Sequence, residues 1–201
     1  MSKKYYEYLP SVISSSTAVD VNTDTFILHS FNGYALDLVW SDDTPAAKNF
    51  VDGDVTVGTD NIAETAHTFL TGLKGQLTTT GTLPTGLATG TDYWVIKVDD
   101  DNFKLASSLA NAQAGTAVDI TAAAGGGTHT FTATSLSGTI KLQASNTDST
   151  FRDVAGSTIQ LTSDTSHLYN VFDIQYRFGR AAVTISSGQI TINADINKRG
   201  F

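Results

Sequence analysis

Apolar and polar residues alternate with a period of two along much of this chain, which is typical of β-strands that have one buried and one exposed face. The clearest example is the segment 139–144, in which Ile140, Leu142 and Ala144 share one face. The short polar side chains at 145–148 then favour a turn, because they can hydrogen-bond to the neighbouring backbone. We expect the rest of the chain to be organised around this strand and turn.

The same alternation predicts further strands. The firmest is 34–40, which places Leu36, Leu38 and Trp40 on one face and which we expect to pair with 139–144. The other predicted strands lie at 19–28, with a turn near 22–24, and at 75–80, 93–98, 103–106, 128–134, 157–161, 175–180 and 189–194. One short helix is predicted at 107–113, with a serine to cap its start and Gly115 to end it.

The segment 48–134 separates the two firmest strands and carries strand and turn signals of its own. A structureless loop of this length is implausible inside a compact domain, whereas an exposed loop tip tolerates an inserted domain. We therefore predict an all-β protein in which residues 1–47 and 135–201 form a discontinuous, antiparallel, jelly-roll-like β-sandwich. Residues 48–134 would form a second, small β-rich domain inserted in a hairpin loop, which requires Trp40 and Gly138 to be spatial neighbours.

Composition narrows the possible functions. The chain has 201 residues, is 40% hydrophobic and carries a net charge of −8, which argues against a nucleic-acid partner because phosphate binding needs clustered Lys and Arg. It has no cysteine, so disulfides and thiolate metal sites are excluded. No apolar run has the length of a signal peptide or of a bilayer span, so we expect no membrane partner and synthesis in a cytoplasm. Segment 48–134 has nine acidic and four basic residues, and the rest of the chain has eleven acidic and eight basic residues. Both parts are therefore acidic, and charge does not mark the boundary between the two predicted domains.

The amino-terminal segment 1–11 is rich in tyrosine and is open to two interpretations. It would be either the first edge strand of its own domain or an extended arm laid on a neighbouring subunit, where an aromatic ring with a polar tip is favoured. On the second interpretation the residues that bind a partner are Tyr5, Tyr6 and Tyr8, together with Phe201 at the other end of the chain.

Several side chains are of types that bind metals or take part in catalysis, but their spacing in the sequence does not suit such a site. The carboxylates at 99–101 suit calcium, yet neighbours within one turn rarely converge on one ion, so a hairpin turn is the preferred interpretation. His67 and His129 lack a third ligand of clear spacing and are interpreted as satisfied polar residues. Asp164, Ser166 and His167 are too close in sequence to line up as a catalytic triad. We therefore predict no catalytic residue, no metal and no cofactor.

Two parts of the chain resemble proteins of tailed-bacteriophage virions. The sequence Gly-Thr-Ile-Lys-Leu-Gln-Ala-Ser-Asn at 138–146, after a strand ending in Trp40, is similar to a pattern of small β-sandwich virion proteins. This chain departs from the pattern at 147–149, where Asp-Gly is usual, and at Phe151, where tryptophan is usual; both changes keep a polar turn followed by an aromatic core residue. Segment 48–134 resembles a repeat module of phage structural proteins, with Tyr-Trp-Val-Ile at 93–96 among its features.

This resemblance implies a non-enzymatic structural protein of the virion, assembled in the host cytoplasm. The expected role is a capsid decoration or cement protein on the exterior of the head, bound to the major capsid protein or other virion proteins and present as a homo-oligomer. Two alternatives remain: a tail collar, hub or fibre-adaptor protein, and a carbohydrate-binding module for host attachment that uses Trp94 or Tyr93.

Overall fold

The computed structural model describes residues 4–15, 20–22, 26–27, 33–123, 125–172 and 176–199, whose regular secondary structure consists almost entirely of antiparallel strands. The strands are β1 (Lys4–Ser15), β2 (Asp20–Asn22), β3 (Phe26–Ile27), β4 (Gly33–Asp42), β5 (Lys48–Phe50), β6 (Val55–Thr56), β7 (Asn61–Ala63), β8 (Lys74–Thr79), β9 (Asp92–Lys97), β10 (Asn102–Ala106), β11 (His129–Ala133), β12 (Ser137–Ser145), β13 (Arg152–Asp153), β14 (Ile159–Leu161), β15 (Thr165–Phe172), β16 (Phe178–Ser187) and β17 (Ile190–Arg199). The all-β, antiparallel fold class predicted from the alternation is confirmed.

Two of the three sheets share one hydrophobic core and form a sandwich. One sheet has four strands in the order β1–β17–β4–β15, and the other has β12 and β16 at its centre, flanked by β13 and β14 on one side and by β2 and β3 on the other. Buried side chains from both sheets meet between them, including Leu38 and Ile192 from the first and Ile140, Leu142 and Val183 from the second. The predicted strand at 139–144 thus lies within β12 with its apolar face inward.

The predicted pairing of the two firmest strands is wrong. Strand β4 pairs with β15 and β17, and Trp40 lies opposite Thr165 and Ile192 rather than beside β12. Strands β4 and β12 belong to opposite sheets and contribute to the same core through their buried faces. Segment 48–134 therefore connects the two sheets of the sandwich and not the two strands of a hairpin. Alternation shows that a strand has one buried face. Because the strands of both sheets of a sandwich have such a face, the pattern does not show which sheet a strand belongs to.

Segment 48–134 contains all seven strands of the third sheet, in the order β5–β11–β8–β9–β10–β7–β6. This sheet has its own core, in which Phe69, Phe103 and Phe131 are fully buried and their rings contact one another edge-on or tilted. The first and last strands of the segment, β5 and β11, are paired, with Lys48 opposite Phe131. We call this segment the insert, and its status as a separate domain stays a prediction.

The predicted helix is present as α1 (Leu109–Gln113). Ser108 caps it, because its side-chain oxygen accepts a hydrogen bond from the backbone N–H of Asn111. Gly115 follows with a φ of +72°, a left-handed conformation that suits glycine at the end of a helix. Among the described residues no helix is long and apolar enough to cross a bilayer.

The chain leaves and rejoins the sandwich at one point, beside Gly188. A Cβ atom added to Gly188 would lie 2.6 Å from Thr44 Oγ1 and 2.5 Å from Leu136 Cα. Thr44 and Leu136 stand just before and just after the insert, so the two connections meet against the same glycine. Gly188 has a φ of +82° and sits in the tight turn between β16 and β17.

The next residue, Gln189, joins the insert to the sandwich through hydrogen bonds. Its side chain is buried, and its Oε1 accepts from the N–H of Leu70, at 2.9 Å. Its Nε2 donates to the carbonyl oxygens of Thr68, in the insert, and of Asp43, in the sandwich. A buried amide with partners on both sides fixes the position of one core against the other, because breaking any of these bonds leaves a buried polar group unpaired.

Candidate functional site

The predicted partner-binding tyrosines lie on an edge strand. Strand β1 is paired with β17 of the same chain, and the backbones of Tyr5, Tyr6 and Tyr8 lie opposite Lys198, Asn197 and Asp195. The side chains of the three tyrosines lie outside what the structure describes, and so does Phe201. Their role as anchors is therefore untested.

Strand β1 is long for an edge strand and is irregular in its middle. Its register against β17 shifts between Leu9 and Ile13, next to Pro10. Proline and bulges are the usual devices that discourage an edge strand from pairing with other chains. The amino-terminal half, which carries the tyrosines, is regular and lies on the side of the sheet with no further strand among the described residues.

The aspartate turn (residues 99–101) connects β9 and β10, and its carboxylates hold the turn together. Asp99 Oδ1 accepts from the N–H of Asp101, and Asp101 Oδ1 accepts from the N–H of Ala66, both at 2.8 Å. Asp100 forms an ion pair with Lys97. These contacts favour the turn interpretation over a calcium site, and no group of three metal-ligating side chains occurs in the described part of the chain.

His67 is a buried, hydrogen-bonded member of the insert core. Its Nδ1 accepts from the N–H of Phe69 at 2.9 Å, and its Nε2 is 3.2 Å from the carbonyl oxygen of Asn102. Because a carbonyl only accepts, Nε2 must carry the hydrogen. The ring also packs against Phe103. His67 is thus a satisfied polar residue, as its isolated position in the sequence indicated.

His129 forms the arrangement that most resembles a catalytic site. Its Nδ1 lies 2.8 Å from Thr79 Oγ1 and its Nε2 lies 3.1 Å from Asp52 Oδ1. A carboxylate, an imidazole and a hydroxyl in this order activate nucleophiles in many hydrolases. Here, however, Thr79 Oγ1 also accepts from the N–H of Gly81, and Asp52 Oδ2 accepts from the N–H of Gly126.

The hydrogen-bonded side chains of Asp52, His129 and Thr79, which we call the line, hold the glycine-rich loop 125–127 against the sheet. The imidazole is fully buried, and a Cβ on Gly81 would lie only 1.8 Å from the carbonyl oxygen of Gly126, so the loop packs directly against the end of the strand that carries Thr79. The sequence alone does not reveal this line, because Asp52, Thr79 and His129 are distant in the sequence.

The hydrogen bonds from His129 and from the N–H of Gly126 hold the pKa of Asp52 below its ordinary value. Similar hydrogen bonds and ion pairs lower the pKa of four other carboxyl groups, three in the insert and one in the sandwich: Asp92, Asp99, Asp100 and Asp153. Among the residues that the structure describes, the insert therefore contains four of the five carboxyl groups whose pKa is lowered.

We expect acid to destabilise the insert more than the sandwich. A carboxyl group with a lowered pKa in the folded state stabilises the fold above its unfolded pKa, and this contribution is lost as the pH falls through the folded value. Urea unfolding at neutral and at acidic pH should show that Asp52→Asn lowers stability at neutral pH and that its difference from the original chain shrinks in acid. Asp119→Asn, which removes a charge at an exposed position, is the matched control. A constant difference for Asp52→Asn at all pH values would contradict this expectation.

Asp164, Ser166 and His167 do not converge on a site. The carboxylate of Asp164 accepts from the N–H of Asp42, and the ring of His167 packs against Tyr169. Ser166 and His167 are successive residues of β15, so their side chains leave the strand on opposite faces.

The two candidate sugar-stacking residues differ in exposure. Tyr93 is 4% exposed and its hydroxyl accepts from the N–H of Ala88, so its ring belongs to the core. Trp94 is half-buried on the outer face of the insert sheet, where the ammonium of Lys74 lies 5.6 Å from its ring centre. Trp40 is buried in the sandwich, and its indole N–H donates to the carbonyl oxygen of Ser163.

The outer face of the insert sheet is polar around Trp94. Asp92 accepts from both Lys74 and Gln76 and links the two side chains. A shallow hollow of about 500 Å³ lies on the same sheet and is lined by Gln76, Thr78, Thr132, Ala133, Thr134 and Ser135.

A second surface combines arginines with aromatic rings. We call it the arginine–aromatic surface; it consists of Phe151, Arg177, Phe178 and Arg180, next to Gln143 and Asp153 of strands β12 and β13. The guanidinium of Arg180 lies 4.1 Å from the ring centre of Phe151, and its Nε donates to Gln143 Oε1. Arg177 lies 5.6 Å from the ring centre of Phe178.

The position of Phe151 corrects the expectation that it would be a core residue. It is half-buried, stacks on Arg180 and does not belong to the sandwich core, whereas Val154 and Ile159 pack against that core. The cation–π contact on the outer face offers the ring an alternative to burial. The predicted strand at 175–180 gave no indication of this contact, because Phe151 and Arg180 are distant in the sequence.

Comparison with known proteins finds no matching family and a weak structural likeness. No protein-family model and no curated protein matches the chain. Among solved structures, the chain is similar to the VP16–VP17 complex, a complex of the two major capsid proteins of bacteriophage P23-77, with 8% sequence identity over 99% of both chains and a TM-score of 0.23. A likeness this weak carries no argument about the fold or the function.

Proposed function

We propose that this chain is a non-enzymatic structural protein of a bacteriophage virion. The observation that carries the proposal is the place of the resemblance in the fold: the pattern at 138–146 falls on β12, a central strand of the sandwich, and not on a variable loop. The polar groups that resemble catalytic sites are committed to backbone partners, which agrees with a structural role.

Within that class, the role we favour is decoration or cementing of the head exterior. The sandwich would dock on the major capsid protein or another virion protein, and the insert, as a separate domain of residues 48–134, would project outward. The attachment at Gly188 and Gln189 supports this arrangement, because it holds the insert to one end of the sandwich. The regular half of edge strand β1, with Tyr5, Tyr6 and Tyr8, would add to the docking contact.

Mass spectrometry of purified particles, followed by a particle reconstruction, tests this proposal. A copy number comparable with that of the major capsid protein, and density on the head, are the expected results. A few copies at the tail would instead establish the collar, hub or fibre-adaptor alternative. Absence of the protein from purified particles would reject a virion role altogether.

A second candidate function, carbohydrate binding, is favoured by the outer face of the insert sheet. The half-exposed ring of Trp94 stands next to the polar group of Lys74, Gln76 and Asp92 and on the same sheet as the threonine-lined hollow. Stacking rings surrounded by amides and hydroxyls suit sugars, whose faces are apolar and whose edges are polar.

We expect Trp94→Ala to abolish glycan-array binding if this second function operates. The physical reason is the loss of the stacking ring: a nucleic-acid base stacked on an aromatic side chain gains about 1–3 kcal/mol, or roughly 5- to 150-fold in affinity, and we take the same scale for the apolar face of a sugar. Val98→Ala, which shortens an exposed side chain on the same β9–β10 hairpin, is the control. An array on which the original chain binds no glycan removes this candidate.

A further inference from the structure

Strand β15 forms the edge of the four-stranded sheet opposite to β1, and no further strand lies beside it among the described residues. It pairs with β4 along its whole length, from Thr165 to Phe172, without any shift in register. The unpaired side of such a strand presents a row of backbone N–H and C=O groups, which is a template for a strand of another chain. The sandwich can therefore add a strand at β15.

The sequence of β15 contains none of the devices that discourage such pairing. It has no proline and no Asp, Glu, Lys or Arg, whereas β1 has a register shift and contains Lys4, Glu7 and Pro10. The strands at the edges of the other two sheets have only two or three residues each. Among the described strands, β15 is thus the long, regular edge that lacks protection.

The exposed side chains of β15 include one large apolar residue. Leu168 is 53% exposed, more than any other large hydrophobic side chain in the described part of the chain. It lies on the outer face of the sheet, because the next residue, Tyr169, is buried in the sandwich core. Ser166 and Asn170 share the outer face and are exposed. The edge is therefore uncharged, with a leucine in its middle.

Symmetry limits how β15 can pair with itself. In an antiparallel pair, side chains that are directly opposite lie on the same face of the sheet. A two-fold axis perpendicular to the sheet keeps the outer faces of both copies on one side, so an outward-facing residue opposes another outward-facing residue. With Leu168 on the axis, the two leucines oppose each other and Ser166 opposes Asn170 of the second copy. With Tyr169 on the axis, Leu168 would oppose Asn170 and lose its apolar partner.

The charge on the neighbouring strand does not oppose this contact. Asp37 lies opposite Leu168 on β4, one strand away from the edge. Two copies of Asp37 would be separated by both β15 strands, which is about 14 Å at a strand spacing of about 4.8 Å. This separation exceeds the Debye length of about 8 Å at physiological salt, so their repulsion is largely screened.

We propose that β15 of one copy pairs antiparallel with β15 of a second copy, about a two-fold axis through Leu168. The second copy fits this edge because the strand is complementary to itself: leucine meets leucine, and no charges are opposed. The contact joins two four-stranded sheets into one continuous sheet and closes on itself, so association stops at a dimer. The proposal concerns contacts between copies and does not rest on the virion role.

Single cysteines test both the contact and its register, because the chain has no cysteine of its own. Leu168→Cys should give a disulfide-linked dimer under mild oxidation, since opposed Cα atoms of antiparallel strands are about 4.5–5.5 Å apart, within the range of disulfides. Ser166→Cys and Asn170→Cys should not cross-link separately, whereas their mixture should. Asn193→Cys, exposed on the same face but two strands from the edge, is the control and should not cross-link.

Sedimentation equilibrium of the full chain measures the same contact without cysteines. We expect a dimer that persists at high salt, because backbone hydrogen bonds and a leucine pair are not screened as ion pairs are. Leu168→Lys places two ammonium groups opposite each other and should abolish the dimer, whereas Asn193→Lys should retain it. A chain that stays monomeric, a dimer that Leu168→Lys leaves intact, or the absence of the Leu168→Cys cross-link would overturn the proposal.

Discussion

Replacing Phe103 with alanine is expected to lower the free energy of unfolding of the insert by about 3–5 kcal/mol, the usual cost of removing a buried phenylalanine ring. Phe103 is fully buried and lies 5.2 Å from Phe69, 6.1 Å from Phe131 and 5.4 Å from His67, measured between ring centres. Three rings thus lose their common neighbour. The cavity cannot be filled by small shifts, because Phe131 is fixed on β11 while His67 and Phe69 are held on the loop between β7 and β8.

The two tryptophans make this prediction a test of the proposed domain division. Trp40 is buried in the sandwich and Trp94 lies on the insert, so Trp40→Phe and Trp94→Phe variants each leave one fluorescent reporter. With Phe103→Ala, the Trp94 transition in urea should move to lower denaturant while the Trp40 transition stays in place. Val98→Ala, at a 51% exposed position, should move neither transition. If both reporters shift together, the two cores unfold as one unit and the division into domains is rejected.

Replacing Gly188 with alanine is expected to cost roughly 2–5 kcal/mol, as the sum of left-handed backbone strain and overpacking. The added methyl group would collide with the backbone of Leu136 and with Thr44 Oγ1, and the backbone of Leu136 cannot move without shifting the exit from the insert. We therefore expect thermal unfolding of Gly188→Ala at a lower temperature, together with faster amide hydrogen exchange at Leu70, whose N–H is bonded to the neighbouring Gln189.

Gly90 provides a matched control for this substitution. It also has a positive φ, +69°, but no atom lies within 4 Å of its missing Cβ. Gly90→Ala should therefore show only the backbone strain, about 1–2 kcal/mol, and no change in exchange at Leu70. Equal effects of the two substitutions would mean that Gly188 has no special role where the insert joins the sandwich.

The sequence predicted individual elements well where the signal was local. The inward-facing residues of β12 follow from alternation, and helix α1 follows from a serine cap and a terminating glycine. The aspartate turn was also predictable, because short acidic side chains bond to their own backbone. Each of these signals lies within a few residues of the structure that it specifies.

Most of the candidate sites could not be predicted from the sequence, because each site combines residues that are distant in the sequence. The line from Asp52 through His129 to Thr79 joins three separate strands or turns, and Gln189 reaches across more than a hundred residues to Thr68 and Leu70. Nothing in the local sequence distinguishes these side chains from other polar residues.

The sequence by itself determined that this protein is all-β, that its surface is acidic and that Ile140 and Leu142 face a core, because periodicity and charge are properties of the chain alone. Only the tertiary structure decided that β4 lies across the core from β12 and not beside it, and that Phe151 stacks on Arg180 outside the core. The physical reason is that burial leaves a pattern along one strand, whereas the choice of neighbouring strand depends on how two sheets pack.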